Sequence, residues 1–202
     1  MTTVNDALNL VIPMGTERDD VSAYVYHTPI SQEVFTANYR ALSAAKSALA
    51  AKGLYYMMDS GPRVAALALR DEGLKDAAER GEIDAEGKPN DKRTLALLGE
   101  IKRLTMALVP DGAQWSMLPI DIALQQGKLD EEEWSEVESA IVFFTFHYAM
   151  CKKASRPRIA KATASVLKGS ITSSSAMEFV ASLPTLMPAA TTASKAASSV
   201  PS

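Results

Sequence analysis

Cysteine, histidine and long apolar runs are what this chain of 202 residues has least of. Its one cysteine, Cys151, excludes an intramolecular disulfide, and two histidines beside it leave little material for a zinc site. The longest apolar run, residues 140–151, is broken by Thr145 and His147 and falls short of the roughly 20 residues that a spanning helix needs. Residues 1–9 carry no basic cluster, and the apolar stretch at 10–12 is too short for a secretory leader. A lone cysteine in an apolar run fits a reducing cytoplasm. No repeat of 20–50 residues is visible, which excludes a solenoid, and no serine sits in a GxSxG turn.

What is present is enough apolar material for a core, at 47% of residues, together with a charge asymmetry that the net value of -3 conceals. Residues 1–138 hold 23 acids and 14 bases, whereas residues 139–202 hold 7 bases and one acid, Glu178. The chain thus divides into an acidic body and a basic C-terminal part.

Residues 9–13 and 21–27 are rich in β-branched and aromatic side chains and flank a polar stretch, which reads as a β-hairpin with the face of Tyr24 and Tyr26 as a candidate for burial. Two strands alone are marginal in water, so they must lean on helices or on another copy. Thr28-Pro29-Ile30-Ser31 starts a helix to about residue 58, with a stripe of Phe35, Tyr39, Leu42, Ala45 and Leu49. Residues 63–80 form a second, with Val64, Leu67 and Ala68 inward. Residues 92–109 read as a third, since Leu97, Ile101, Leu104 and Leu108 keep three-four spacing up to Pro110. A short helix spans 119–126. Asp130 then caps the strongest element, residues 131 to about 153, with Trp134, Val137, Ile141, Phe144, Tyr148 and Cys151 on one stripe. Phe143, Phe146 and Met150 make a second stripe, so this helix is either the centre of the fold or half core and half interface.

Candidate chemistry is thin. The loop 81–91 (GEIDAEGKPND) departs from a phosphate-binding loop in its glycine spacing, in Pro89, and in three acids that would repel phosphate. The acids Asp130, Glu131, Glu132, Glu133, Glu136 and Glu138 suit a helix N-terminus, and none has a histidine three or four residues on. His147 reads as a hydrogen-bonded core residue rather than a base, His27 as making a local hydrogen bond, and Cys151 lacks the glycine turn or helix N-terminus that activates a thiol. The stretch 152–168 (KKASRPRIAKATASVLK) holds six cations and no acid. Without interleaved aromatics or a recognition-helix motif it suits nucleic acid less well than an acidic protein surface.

The expected fold is mainly α (α+β). An N-terminal hairpin packs on a bundle of about four or five helices within residues 1–155, followed by a basic arm and short docking helix at 156–184 and an Ala/Ser/Thr-rich disordered tail at 185–202. Phe143, Phe146 and Met150 are the candidate partner-contact residues, steered by Arg156, Arg158 and Lys161.

Five segments resemble a known family: 24–35 (YVYHTPISQEVF), 61–69 (GPRVAALAL), 101–110 (IKRLTMALVP), 118–145 (LPIDIALQQGKLDEEEWSEVESAIVFFT) and 178–185 (EFVASLPT). Together they resemble the tail assembly chaperones of long-tailed (siphovirus-type) bacteriophages. The resemblance implies a helical assembly factor rather than an enzyme, without a cofactor; the expected partners are the tape measure protein and further copies of the chain in a homo-oligomer, with no membrane, and nucleic acid is the less favoured partner. Such a protein works in the host cytoplasm and is absent from the mature virion. It keeps the tape measure protein soluble until tail tube protein polymerises around it, and a frameshifted longer form recruits the tube protein in many phages. The rival readings are a structural virion subunit of the tail or head-to-tail connector, and a nucleic-acid-binding regulator.

Overall fold

A computed structural model of the chain describes residues 8–15, 21–52, 61–184 and 186. It is α+β and helix-dominated, built on a five-stranded antiparallel sheet of order β4-β3-β2-β1-β5. The strands are β1 (Asn9–Met14), β2 (Ala23–His27), β3 (Thr105–Asp111), β4 (Gln114–Pro119) and β5 (Ser170–Thr172). Seven α-helices lie among the described residues: α1 (Gln32–Ala51), α2 (Gly61–Glu79), α3 (Lys92–Arg103), α4 (Ile120–Gln125), α5 (Glu131–Met150), α6 (Arg156–Val166) and α7 (Ala176–Ser182).

The hairpin forms as its alternation dictates, with Leu10 opposite His27 and Ile12 opposite Val25. Its burial is two-sided. Leu10, Ile12, Ala23 and Val25 point into the main core, while Val11, Tyr26 and Leu108 centre a second cluster on the opposite face. The tyrosine face is therefore buried, but so is the other one.

Ser31 caps α1 by accepting a hydrogen bond from the Val34 amide at 3.2 Å. Leu42, Ala45 and Leu49 are buried as expected, whereas Tyr39 is 55% exposed; the stretch expected to carry this helix on to residue 58 lies largely outside the described residues. On α2 the inward face is Ala65, Ala66, Leu69, Gly73 and Ala77. Leu67, expected inward, is 58% exposed, because small residues let α2 lie close to its neighbours along the opposite stripe.

The largest correction falls on residues 92–109. The helix stops at Arg103, Leu104 is its C-cap, and Thr105 begins β3. Three-four spacing holds across this boundary by coincidence, since Thr105, Ala107 and Val109 also alternate with Met106, Leu108 and Pro110 at the period of a strand. The pairing available on both sides of β3 decides between the two, with β2 from His27↔Thr105 to Tyr24↔Leu108 and β4 from Met106↔Pro119 to Asp111↔Gln114. Pro110 lies beyond the last β2 partner, so its missing N–H costs that pairing nothing. Gly112, at φ 64°, makes the turn into β4, an element absent from the expected fold.

α5 is the centre of the molecule. Asp130 and Glu133 form a reciprocal capping box at 2.8 and 2.9 Å, and residues 141–146 are buried on every side. The helix ends at Met150, short of the expected Lys153. Full burial of Phe144 and Phe146 contributes about 1.5–3 kcal/mol each. After a 3-10 turn, α6 packs on α5, with Pro157 in its first turn. β5 then pairs with β1, and α7 lies on the outer face of the sheet. Residues 156–184 are thus built into the same fold rather than forming an arm, because β1 has a free edge that β5 fills. The expected disordered tail lies outside the described residues except for Leu186.

Gly73 marks the closest approach in the helical layer: a methyl there would collide with the Asp91 carboxylate and the Thr94 hydroxyl. Helix propensity alone makes Gly73→Ala stabilising by about 1 kcal/mol. The packing predicts the opposite sign, a loss of about 1–3 kcal/mol, read as a lower urea midpoint with unchanged slope.

Candidate interaction surfaces

Charge on this protein is divided into a paired and an unpaired set. Arg40 meets Asp76 at 3.2 Å and Glu79 at 3.0 Å, Arg63 meets Glu136 at 2.8 Å, Arg70 meets Glu138 at 2.6 Å, and Arg93 meets Glu82 at 3.1 Å. Lys75, Arg80, Lys102 and Arg103 are likewise paired. By contrast Lys152, Lys153, Arg158, Lys161 and Lys168 are exposed, and none forms an ion pair among the described residues. No acid lies between Glu138 and Glu178 in the sequence, and α6 occupies this gap, so every charged side chain that α6 itself carries is positive. Such a set of charges attracts an acidic partner over about one Debye length, ~8 Å at physiological salt.

The six expected contact residues are only partly brought together there. Arg158 and Lys161 stand on the exposed side of α6. Arg156 is anchored in the fold: it donates to Gln32 Oε1 at 3.2 Å, and its guanidinium lies 5.3 Å from the centre of the Tyr148 ring. Phe143 and Phe146, at 3% and 0% exposed, belong to the core and offer no partner surface, and Met150 is half-buried against that core. The second apolar stripe of α5 is largely occupied by the protein itself, because residues 141–146 are packed on all sides.

The titratable groups in the interior are structural. The Thr105 hydroxyl donates to Ile101 O at 2.7 Å, so its oxygen accepts from His27 Nδ1 at 2.9 Å, which fixes the tautomer with Nε2 unprotonated and unpartnered. This contact joins the neighbouring strands β2 and β3, 78 residues apart in sequence, and is not the local bond expected. Complete burial lowers the His27 pKa to about 3. His147 Nδ1 donates to Phe143 O at 2.8 Å; burial lowers its pKa, the Phe143 carbonyl opposes that, and nearby Lys46 adds to it. The Cys151 thiol donates to Tyr148 O at 3.1 Å, so neither member of the possible His147 and Cys151 dyad is aimed at the other.

In the loop 81–91, Asp84 Oδ1 accepts from the amides of Glu86 and Lys88 at 2.9 Å each, occupying the groups an anion would need. Among the described residues no three His, Cys, Asp or Glu side chains group as a metal site, and no helix is long and apolar enough to cross a membrane. A groove of about 770 Å³ runs between β1, the first turn of α2, and α5, with mixed charge from Arg63, Glu136 and Lys168 on its walls. It suits no single ligand class.

The surface missed by the sequence reading is the outer face of the sheet. Its signal was the pair of alternating runs at 105–110 and 114–119 around Pro110-Asp111-Gly112, a hairpin pattern masked by the leucine spacing. Comparison with protein-family models, curated proteins and solved structures finds no match to the chain.

Because His27 is neutral when folded and has an ordinary pKa near 6.5 when unfolded, only the unfolded chain takes up its proton between about pH 6.5 and 3. Its contribution to stability is complete above pH 6.5 and falls by up to about 1.4 kcal/mol per unit as pH drops through that window. NMR of the native protein should find the His27 ring still neutral at pH 4.5; protonation near pH 6.5 would contradict its burial.

Proposed function

We propose that this protein is a tail assembly chaperone of a long-tailed bacteriophage, which binds the tape measure protein and keeps it soluble in the host cytoplasm while tail tube subunits assemble. The observation that carries this reading is that the resembling segments adjoin one another. Residues 24–35 and 101–110 supply the paired strands β2 and β3, 118–145 supplies the end of β4 and most of α5, 61–69 begins the helix packed against α5, and 178–185 includes most of α7 on the same sheet.

The surface supports a binding role. Five exposed cations that form no ion pair among the described residues suit an acidic client, and His27, His147 and Cys151 are engaged in structural hydrogen bonds. In this role the protein acts as an oligomer, can meet tail tube protein as a further partner, and is left out of the finished particle.

Co-expression with the tape measure protein is the test. The client's soluble fraction should rise several-fold over expression alone, and Arg158→Glu with Lys161→Glu should remove most of that gain while leaving Tm within the change usual for surface sites, about 0.5 kcal/mol in stability. A client equally insoluble with and without the protein overturns the reading. Stoichiometric presence in purified particles favours a structural virion subunit instead.

A further inference from the structure

We propose that the outer face of the sheet is a docking surface for an amphipathic helix of a partner protein, and that α7 is its resident occupant, displaced when the partner binds. The register places Val11 and Pro13 of β1, Tyr24 and Tyr26 of β2, Met106, Leu108 and Pro110 of β3, and Trp115, Met117 and Pro119 of β4 on this face. None is charged. Toward β5 the face turns polar, with Asn9, Ser170 and Thr172. An antiparallel sheet that turns one face to water alternates apolar with polar residues, and from β1 to β4 this one is largely apolar on both sides, so that part of the outer face calls for a cover as well.

The cover supplied by the chain is small. α7 has seven residues and is about 10 Å long, whereas four strands span about 14 Å between the outer strand axes. It runs from the Asn9 and Tyr26 side, where Ser174 O accepts from Tyr26 Oη at 2.7 Å and Asn9 Nδ2 at 3.2 Å, to the β3–β4 turn, where Leu186 N donates to Ala113 O at 3.1 Å. Phe179 sits over both tyrosines, its ring centre 6.1 Å from that of Tyr24 and 6.3 Å from that of Tyr26. None of the residues of α7 is itself buried, and Met177 is 73% exposed. Met106, Pro110 and Trp115 remain only half-buried.

α7 also defines what fits. Ala176, Phe179, Val180 and Leu183 meet the sheet at i, i+3, i+4 and i+7, the ridge of a helix laid on an apolar surface. The polar anchors from the sheet, Tyr26 Oη and Asn9 Nδ2 at one end and Trp115 Nε1 on Pro184 O at 3.1 Å at the other, all donate to main-chain carbonyls, which any peptide presents. Selectivity therefore rests on the apolar ridge, with an aromatic residue at the Phe179 position. A helix this short is well below the 12–15 residues at which isolated helices become marginally stable, so α7 unravels when it lifts, and a longer partner helix covers more of the face. The inference does not depend on the client being the tape measure protein.

The probe is a fluorescein-labelled peptide of residues 174–186 added to the full chain. In the wild type the tethered α7 competes at an effective concentration of about millimolar, and the peptide binds weakly. In full-length Phe179→Asp the face is vacated, and the peptide should bind at least tenfold more tightly, while the same peptide carrying the Phe-to-Asp change should not bind. A folded variant that binds no better than wild type overturns the proposal. Phe179→Ala is read in parallel, and loss of the sheet signal in circular dichroism for both variants also overturns it, since α7 is then inseparable from the core. A variant that becomes a stable dimer by light scattering assigns the face to a second copy and overturns the partner-helix assignment.

Discussion

The pleat of β2 sends Val25 and His27 to one side of the sheet and Tyr24 and Tyr26 to the other, and none of these side chains can be left fully in water without cost. Everything else in the molecule answers that constraint. On one side α1, α2, α3 and α5 close over Leu10, Ile12, Val25 and Ala107. On the other, the chain must return from α6 through β5 before α7 can reach Tyr26 and Leu108. Residues late in the sequence are therefore needed to finish a sheet begun at Asn9, which is why the basic C-terminal part is structural as well as charged.

The same geometry sorts the charges. Helices α2 and α5 lie against each other, and Arg63 and Arg70 on one find Glu136 and Glu138 on the other. The Arg70 and Glu138 pair is the more consequential, because Glu138 is almost entirely buried and removal of its partner would leave a charge without solvation. Most of the arginines of the body are held in such pairs. α6, by contrast, exposes Arg158 and Lys161, and neither is engaged in an ion pair among the described residues.

Much of this was legible in the sequence where local signals and tertiary context agree. Ser31 and Asp130 announced the starts of α1 and α5, and the alternation of residues 21–27 announced β2, because a cap and a strand period are written in adjacent residues. The boundary at Leu104 was not legible, since Leu97, Ile101, Leu104 and Leu108 satisfy a helix while Thr105 to Pro110 also satisfy a strand, and only the pairing partners choose. β5 was invisible because three residues carry no period. Among the expected contact residues, Arg158 and Lys161 lie on the surface, since long cations rarely bury unpaired. Phe143 and Phe146 lie in the core; an apolar stripe does not say whether its cover comes from the same chain or another.

The central claim is that the sheet is closed firmly by the large helices on one face and by a small, separable cover on the other. Native-state hydrogen exchange on the full chain tests it directly. The account predicts that the amides of α7 exchange through a local opening, orders of magnitude faster than those of Val11, Val25 and Ala107, whose release needs the global transition. Equal protection of α7 and the central strands would make them one cooperative unit and contradict the account.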